Sequence, residues 1–218
     1  MNRNKNLLII GAGVYGLVAK EIAESMNCFE KICFLDDYTV KTPNGIDVIG
    51  KSSNIEDLAI DFANTIVAIS DAEKRLQMIS KIEETPCRLV YLVSPRAYIA
   101  PTAQIGAGCI IEPMAVVHTG CVLTKGCIVS AGAVINHVSM LCDGVHVDCN
   151  ATIEGHTLVP AGVKIPAGIV YKRDSVKVED LFFDKKNWQE KLFNLTVKVP
   201  KGGPETINGK EYTFEDGM

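Results

Sequence analysis

Four histidines and one glycine-rich turn are the residues of this sequence best suited to chemistry. His118, His137, His146 and His156 all fall between residues 99 and 170. An imidazole titrates near neutrality, so each is a candidate base for an amine or hydroxyl nucleophile. The turn is Gly11-Ala12-Gly13-Val14-Tyr15-Gly16, with Asp36 twenty residues past Gly16 and Asp37 beside it. Glycines at this spacing let backbone N–H groups approach a phosphate, and the acid stands where a dinucleotide site reads a ribose hydroxyl. A plainer role is close packing of a helix on a strand, which Gly13 and Gly16 also permit. The eight cysteines (28, 33, 87, 109, 121, 127, 142 and 149) contain no C-x-x-C pair. They point to neither zinc nor dithiol redox chemistry, and a reducing cytoplasm is the expected compartment.

These residues need elements to hold them. Residues 7–10 form an apolar strand ahead of the glycine turn, and residues 14–26 carry the stripe Leu17, Val18, Ile22, Met26 of an amphipathic helix. Further strands are predicted over 31–35, 65–69 and 88–93, with a helix over 72–83. Strands alternating with helices mean a small parallel α/β sheet.

After residue 95 the texture changes. An aliphatic residue recurs every sixth position, at 99, 105, 111 and onward to 165, twelve hexads without an insertion. Four positions later comes a mostly small residue, among them Ala103, Cys109, Ala115, Cys121 and Cys127. A six-residue period means a β-solenoid, with three hexads to each triangular coil and both positions pointing inward. The three cysteines are then core fillers. No histidine has an inward offset, so all four are expected outside or at corners. A coil of eighteen residues stacks Gly155 over His137, which leaves room beside that imidazole. A glycine needed only for a coil corner is the alternative.

The whole chain has 218 residues, 47% of them hydrophobic, and a net charge of −4. That is enough for one large or two small domains. An acidic chain without a basic stripe is not expected to bind nucleic acid or an anionic membrane. No apolar run approaches the roughly 18 residues of a membrane-spanning helix, and the N-terminal stretch reads as a strand, not a signal peptide. Residues 178–193 form a candidate helix around Trp188. Asn208-Gly209 is a candidate hairpin turn between Thr206-Ile207 and residues 212–214.

The hexads resemble those of the left-handed β-helix acyltransferases. Preceded by a small α/β domain, they are similar to the bacterial hexapeptide-repeat sugar acetyltransferases that act on nucleotide-linked amino sugars, and to the related sialic acid O-acetyltransferases. The resemblance spans about residues 5–172. It rests on the glycine turn, Phe34-Leu35-Asp36-Asp37, Val67-Ala68-Ile69-Ser70-Asp71, and Asn136-His137 with Val145-His146. It implies a Rossmann-like nucleotide-sugar-binding domain over 1–95, a left-handed parallel β-helix of about four coils over 96–172, and a C-terminal helix and hairpin extension over 173–218. It also implies a homotrimer with active sites between neighbouring β-helices, acetyl-CoA as co-substrate, and no metal.

For individual residues the resemblance implies His137 as general base and His146 by the acetyl end of acetyl-CoA. The Gly155 N–H would face the oxyanion, Gly11, Gly13 and Gly16 the diphosphate, and Asp36 and Asp37 the uracil. Transfer would be direct, from thioester to sugar amine or hydroxyl. Outward apolar residues such as Ile110, Met114, Val116, Val122 and Val134 would bury a face in the trimer. The chain departs from the family pattern in three places. Tyr15 stands where a histidine is usual. Val138 stands where an acid usually follows the base, which leaves Asp143, Asp148 or Glu154 as candidate substitutes. The hexads also end one or two coils early. Two other classes stay open: a non-catalytic nucleotide-sugar-binding trimer, and an NAD-binding protein.

Overall fold

The computed structural model describes residues 3–172, 206–207 and 210–211. β1 (Asn6–Ile10) is buried along its whole length, as expected for a central parallel strand covered on both faces. It pairs with β2 (Lys31–Leu35) on one side and β4 (Asn64–Val67) on the other. β3 (Val48–Gly50) and β5 (Arg88–Leu89) complete a sheet of order β3-β2-β1-β4-β5. The chain leaves β1 and β4 toward opposite sides of the sheet, so a crevice opens at their carboxyl ends. α1 (Val14–Ser25), the short α2 (Ile55–Leu58) and α3 (Ala72–Glu83) surround the sheet. The sequence pattern predicted these elements except β3 and α2. β3 has three residues and no alternation strong enough to read.

The strand predicted over 88–93 is two strands with different partners. β5 closes the α/β sheet. β6 (Leu92–Val93) is already the first rung of the β-helix and pairs with β9 (Ile110–Ile111). Two-residue strands then run to β19 (Val170–Tyr171), in three parallel sheets of five, four and five strands. Each rung pairs eighteen residues away, as in Val117 with Ile135. This is the solenoid that the hexads predicted, behind the α/β domain that the strand–helix alternation predicted, and it is the left-handed parallel β-helix that the resemblance implied. Ile111, Val117, Ile135 and Ile153 stack inside it. Cys109, Cys121 and Cys127 are fully buried there. The Cys109 thiol lies 3.0 Å from the Thr124 carbonyl, and the Cys121 thiol 3.0 Å from that of Asn136. They fill the core as predicted.

Alternation within each rung sends one residue outward. The first face carries Leu92, Ile110, Ile128, His146 and Lys164. The second carries Tyr98, Val116, Val134, Thr152 and Val170. The third carries Gln104, Val122, Met140 and Leu158. The α/β domain sits on the first face, where Ile110 and Leu92 join the core formed with α1. α3 sits on the adjoining corner, built of Gly108, Gly126 and Gly144 at φ of +73°, +66° and +72°. A Cβ on Gly126 would meet Ile79 at 2.7 Å, and one on Gly144 would meet Leu76 at 2.9 Å. The fully buried Arg75 donates to the carbonyls of Gly126 (2.8 Å), Gly144 (2.6 Å), Ile69 (2.7 Å) and Ser70 (2.9 Å).

Two outward residues expected to serve association are therefore already covered. Ile110 is buried under α1, and Val122 is 5% exposed. Met114 is 60% exposed, and Val116 and Val134 are half-buried. Past residue 172 the description is limited to Thr206–Ile207 pairing antiparallel with Lys210–Glu211. The antiparallel partner expected for Thr206-Ile207 is Lys210–Glu211 and not residues 212–214, and residues 208–209 lie outside the described residues. Residues 212–214 and the candidate helix over 178–193 lie outside the described residues.

Candidate active site

The crevice has a volume of about 570 Å³, with Gly11, Gly13, Tyr15, Asp36, Asp37 and Lys74 among its walls. Gly11 is at φ +107°, and a Cβ on Gly16 would stand 2.1 Å from the Gly11 carbonyl oxygen. Both glycines are required by the tightness of the turn, whereas Gly13 faces open space. Gly13 caps α1 without a side-chain hydrogen bond. The first N–H groups of α1 therefore point toward the crevice as an anion-binding end.

Asp36 and Asp37 line the crevice, and both are engaged. The Asp36 carboxylate accepts from the Ala12 N–H (2.8 Å), the Tyr38 N–H (2.8 Å) and the Thr39 N–H (3.1 Å). It ties the glycine turn to the segment after β2. Asp37 accepts from the Ser52 N–H (2.8 Å) and hydroxyl (2.9 Å). Sequence reasoning missed Lys74 in the first turn of α3 and Tyr38, which is 98% exposed at the rim, and gave no separate role to Ser70 of the Val67–Asp71 run, which also lines the crevice. Lys74 had a signal: it follows Val67-Ala68-Ile69-Ser70-Asp71, whose last residue caps α3 by accepting from the Lys74 N–H.

His137 lies at the corner between the second and third faces, with its side chain exposed. Gly155 lies flat against its ring. A Cβ there would stand 2.8 Å from Cε1 and 3.0 Å from Nε2. Gly155 is thus a requirement of space, not of φ, and its N–H makes no hydrogen bond with the described residues. His137 Nδ1 is 3.3 Å from Asn136 Oδ1, so Asn136 can hold the ring with Nε2 outward. Val138 takes no such part. It sits at φ +55°, a conformation that is an outlier for a β-branched residue. Asp143 accepts from the Lys125 N–H and Asp148 pairs with Lys164, so neither orients His137. His156, read from the sequence as an ordinary surface residue, packs edge-on against His137 at 5.1 Å. Its N–H donates to the His137 carbonyl (3.0 Å). The spacing of one coil plus one residue was the available signal.

His146 departs from expectation. Its offset does place it outward, on the first face, yet it is 6% exposed. Burial foremost, then the Lys164 ammonium, pushes its pKa down to about 4, so it is neutral at pH 7. Its Nε2 lies 3.1 Å from the Ser130 hydroxyl, and its Nδ1 is buried without a partner. The His137 corner is the edge of the prism opposite the first face. One chain therefore brings His137 to Gly155 and the crevice residues to one another, but it does not bring His137 to His146 or to the crevice. Among the described residues no cluster of three His, Cys, Asp or Glu could hold a metal. No helix among them is long and apolar enough to cross a membrane.

The PglD N-terminal domain family matches residues 6–82. The acetyltransferase domain of PglB from Neisseria gonorrhoeae superposes with a TM-score of 0.74 at 32% identity, over 78% of this chain and 83% of that one. It has also been solved in complex with acetyl coenzyme A. PerB from Caulobacter crescentus, in complex with CoA and GDP-perosamine, is 19% identical with a TM-score of 0.52, over 77% of this chain and 91% of that one. That second likeness is one of fold alone. At 32% identity over 78% of this chain and 83% of that one, the protein belongs to the bacterial hexapeptide-repeat sugar acetyltransferases.

Proposed function

We propose that the protein transfers an acetyl group from acetyl-CoA to an amine or hydroxyl of a nucleotide-linked amino sugar, with His137 as general base. The observation that carries this reading is the His137 corner: an exposed imidazole held through Nδ1, with a glycine against its ring and a backbone N–H beside it that is unpaired among the described residues. His137 Nε2 takes the proton of the nucleophile as the carbon–nitrogen or carbon–oxygen bond forms. The Gly155 N–H faces the developing oxyanion. Collapse breaks the carbon–sulfur bond and releases the CoA thiolate. The acetyl-CoA complex of the gonococcal relative supports the donor.

The crevice is the proposed seat of the nucleotide diphosphate, between the α1 N-terminus and Lys74. Asp36 keeps its place as a wall residue, since three backbone N–H groups already use its carboxylate. That engagement leaves less of the carboxylate for a ribose hydroxyl, which weighs against the NAD reading. Because His137 lies across the prism from the crevice and His146, the complete site combines His137 of one chain with the crevice of a neighbour. A homotrimer closed through the second face, with Tyr98, Val116 and Val134, supplies that arrangement.

The test is calorimetric titration of acetyl-CoA, followed by turnover with UDP- and GDP-linked amino sugars. Binding near one site per chain is expected. His137→Ala should keep that binding and lose about 10² to 10⁴ in kcat. Failure to bind at millimolar acetyl-CoA would favour the non-catalytic nucleotide-sugar-binding reading.

A further inference from the structure

A line of buried polar groups crosses the junction between the α/β domain and the first face of the β-helix. Tyr15, from the glycine turn, places its hydroxyl beside Glu112 without closing a hydrogen bond in good geometry. Glu112, 9% exposed, accepts from the Ser130 hydroxyl at 3.1 Å through Oε1 and from the Ala131 N–H at 3.1 Å through Oε2. Ser130 in turn lies 3.1 Å from His146 Nε2. Glu112, Ser130 and Asp148 occupy equivalent places in successive coils, so the line follows the repeat.

The direction of each hydrogen bond follows from an inventory of protons. A carboxylate only accepts, and a serine hydroxyl has one proton. The Ser130 proton goes to Glu112, so the Ser130 oxygen must accept from His146. His146 then carries its proton on Nε2, and Nδ1 is a bare lone pair. Among the described residues this lone pair is one of few buried side-chain polar atoms without a partner. Leaving such an atom unpaired is costly, and its presence points to a missing donor. An acetyl thioester offers only a carbonyl acceptor on that side, which a bare Nδ1 cannot hold.

We infer that Glu112 and Ser130 are positioning residues that set His146 as its Nε2–H tautomer, and that Nδ1 accepts a hydrogen bond from an N–H group of a bound ligand. Two ligands of the proposed reaction carry such a group, the pantetheine amides of CoA and the amine of the sugar. Asp148 and Lys164, paired at 3.0 Å and both partly exposed, stand near the imidazole, with Lys164 one coil along the first face from His146. The ligand half of this inference rests on the acetyl-transfer reading, and the tautomer half does not.

Glu112→Gln makes the test sharp. The Ala131 N–H requires the amide oxygen of the new side chain, which turns its NH₂ toward Ser130. The Ser130 proton must then point to His146 Nε2, and the imidazole becomes the Nδ1–H tautomer. The measurement is the long-range ¹H–¹⁵N spectrum of histidine-labelled full-length protein, with His146 assigned through His146→Gln. The wild type should show a protonated Nε2 and a bare Nδ1, Glu112→Gln the reverse, and Ser130→Ala a mixture. A wild type with protonated Nδ1, or a tautomer unchanged in both variants, overturns the positioning role even if acetyl-CoA binds. If Glu112→Gln fails to fold, the wild-type and Ser130→Ala spectra still decide.

For the ligand half, CoA alone and a UDP-amino sugar alone are added separately. An Nδ1 shift with CoA assigns the donor to pantetheine, and one with the sugar only assigns it to the amine. No shift with either, in protein that binds both, overturns the ligand half. Glu112→Gln should raise KM for the responsible ligand about tenfold while kcat changes much less, because N–H then faces N–H.

Discussion

At the scale of residues, the proposed base depends on a missing side chain. Gly155→Ala would put a methyl group against the His137 ring, 2.8 Å from Cε1. The ring must then swing off its position. We expect an intact fold, unchanged acetyl-CoA affinity and kcat lower by about hundredfold, measured by steady-state kinetics beside a calorimetric titration. His146 makes a different prediction, about stability. Its folded pKa of about 4 lies below the ordinary histidine value. Between those values the unfolded chain binds a proton that the folded chain does not. The histidine is therefore neutral in both states above about pH 6.5, and stability falls as pH drops from there toward 4. The loss is on the order of 3 kcal/mol. Urea unfolding at several pH values should show that slope in the wild type and a flatter one in His146→Gln.

At the scale of elements, the corners of the β-helix do two jobs. One corner is smooth because Gly108, Gly126 and Gly144 have no side chains, and α3 uses that surface. Arg75 then reaches four backbone carbonyls from within the junction. Methionine fills a similar volume but donates nothing, so Arg75→Met should cost about 3 kcal/mol in urea unfolding. The His137 corner has the opposite character. Where the α3 corner uses glycine, it holds Val138 and His156 in the left-handed region, at φ +55° and +58°. Strain of this kind amounts to about 1–3 kcal/mol per residue and persists at working sites. Val138→Gly should raise stability by about 1 kcal/mol and lower kcat, because the backbone that carries His137 is then less constrained. Equal or greater activity in that variant would show that the strain has no part in holding the base.

At the scale of the molecule, the prism separates what the proposed chemistry needs together. The α/β domain and His146 share the first face, and His137 stands on the opposite edge. Light scattering should give three times the 23.6 kDa chain mass. Val134→Glu on the half-open second face should reduce it to monomer and abolish turnover while every proposed site residue remains. Mixed trimers test the composite site directly. His137→Ala and Gly11→Val chains, each inactive alone, should regain about a quarter of wild-type activity when assembled together, because random pairing reunites one intact half-site from each. No recovery in a verified mixed trimer would place the whole site within one chain.

Much of this architecture was already determined by the sequence, because it is written in periods. An apolar residue every sixth position allows only one kind of coil, and eighteen residues per turn put Gly155 on His137 by arithmetic alone. The buried run of β1 and the glycine turn were equally legible, since they depend on neighbours in the chain. What only the tertiary structure decided depends on contacts between segments far apart. The α/β domain covers the first face, so Ile110 is buried and His146 becomes a neutral interior imidazole, although its offset marks it as outward. Asp36 is used by backbone N–H groups on both sides of the crevice, which no spacing records. Asn136 holds His137 where an acid was expected one residue beyond it. Glu112, Ser130 and His146 stand sixteen to thirty-four residues apart, and only the winding of the coil makes them one hydrogen-bonded line. Periodicity specifies which way a side chain leaves the backbone, and the packing of one element on another specifies what it then meets.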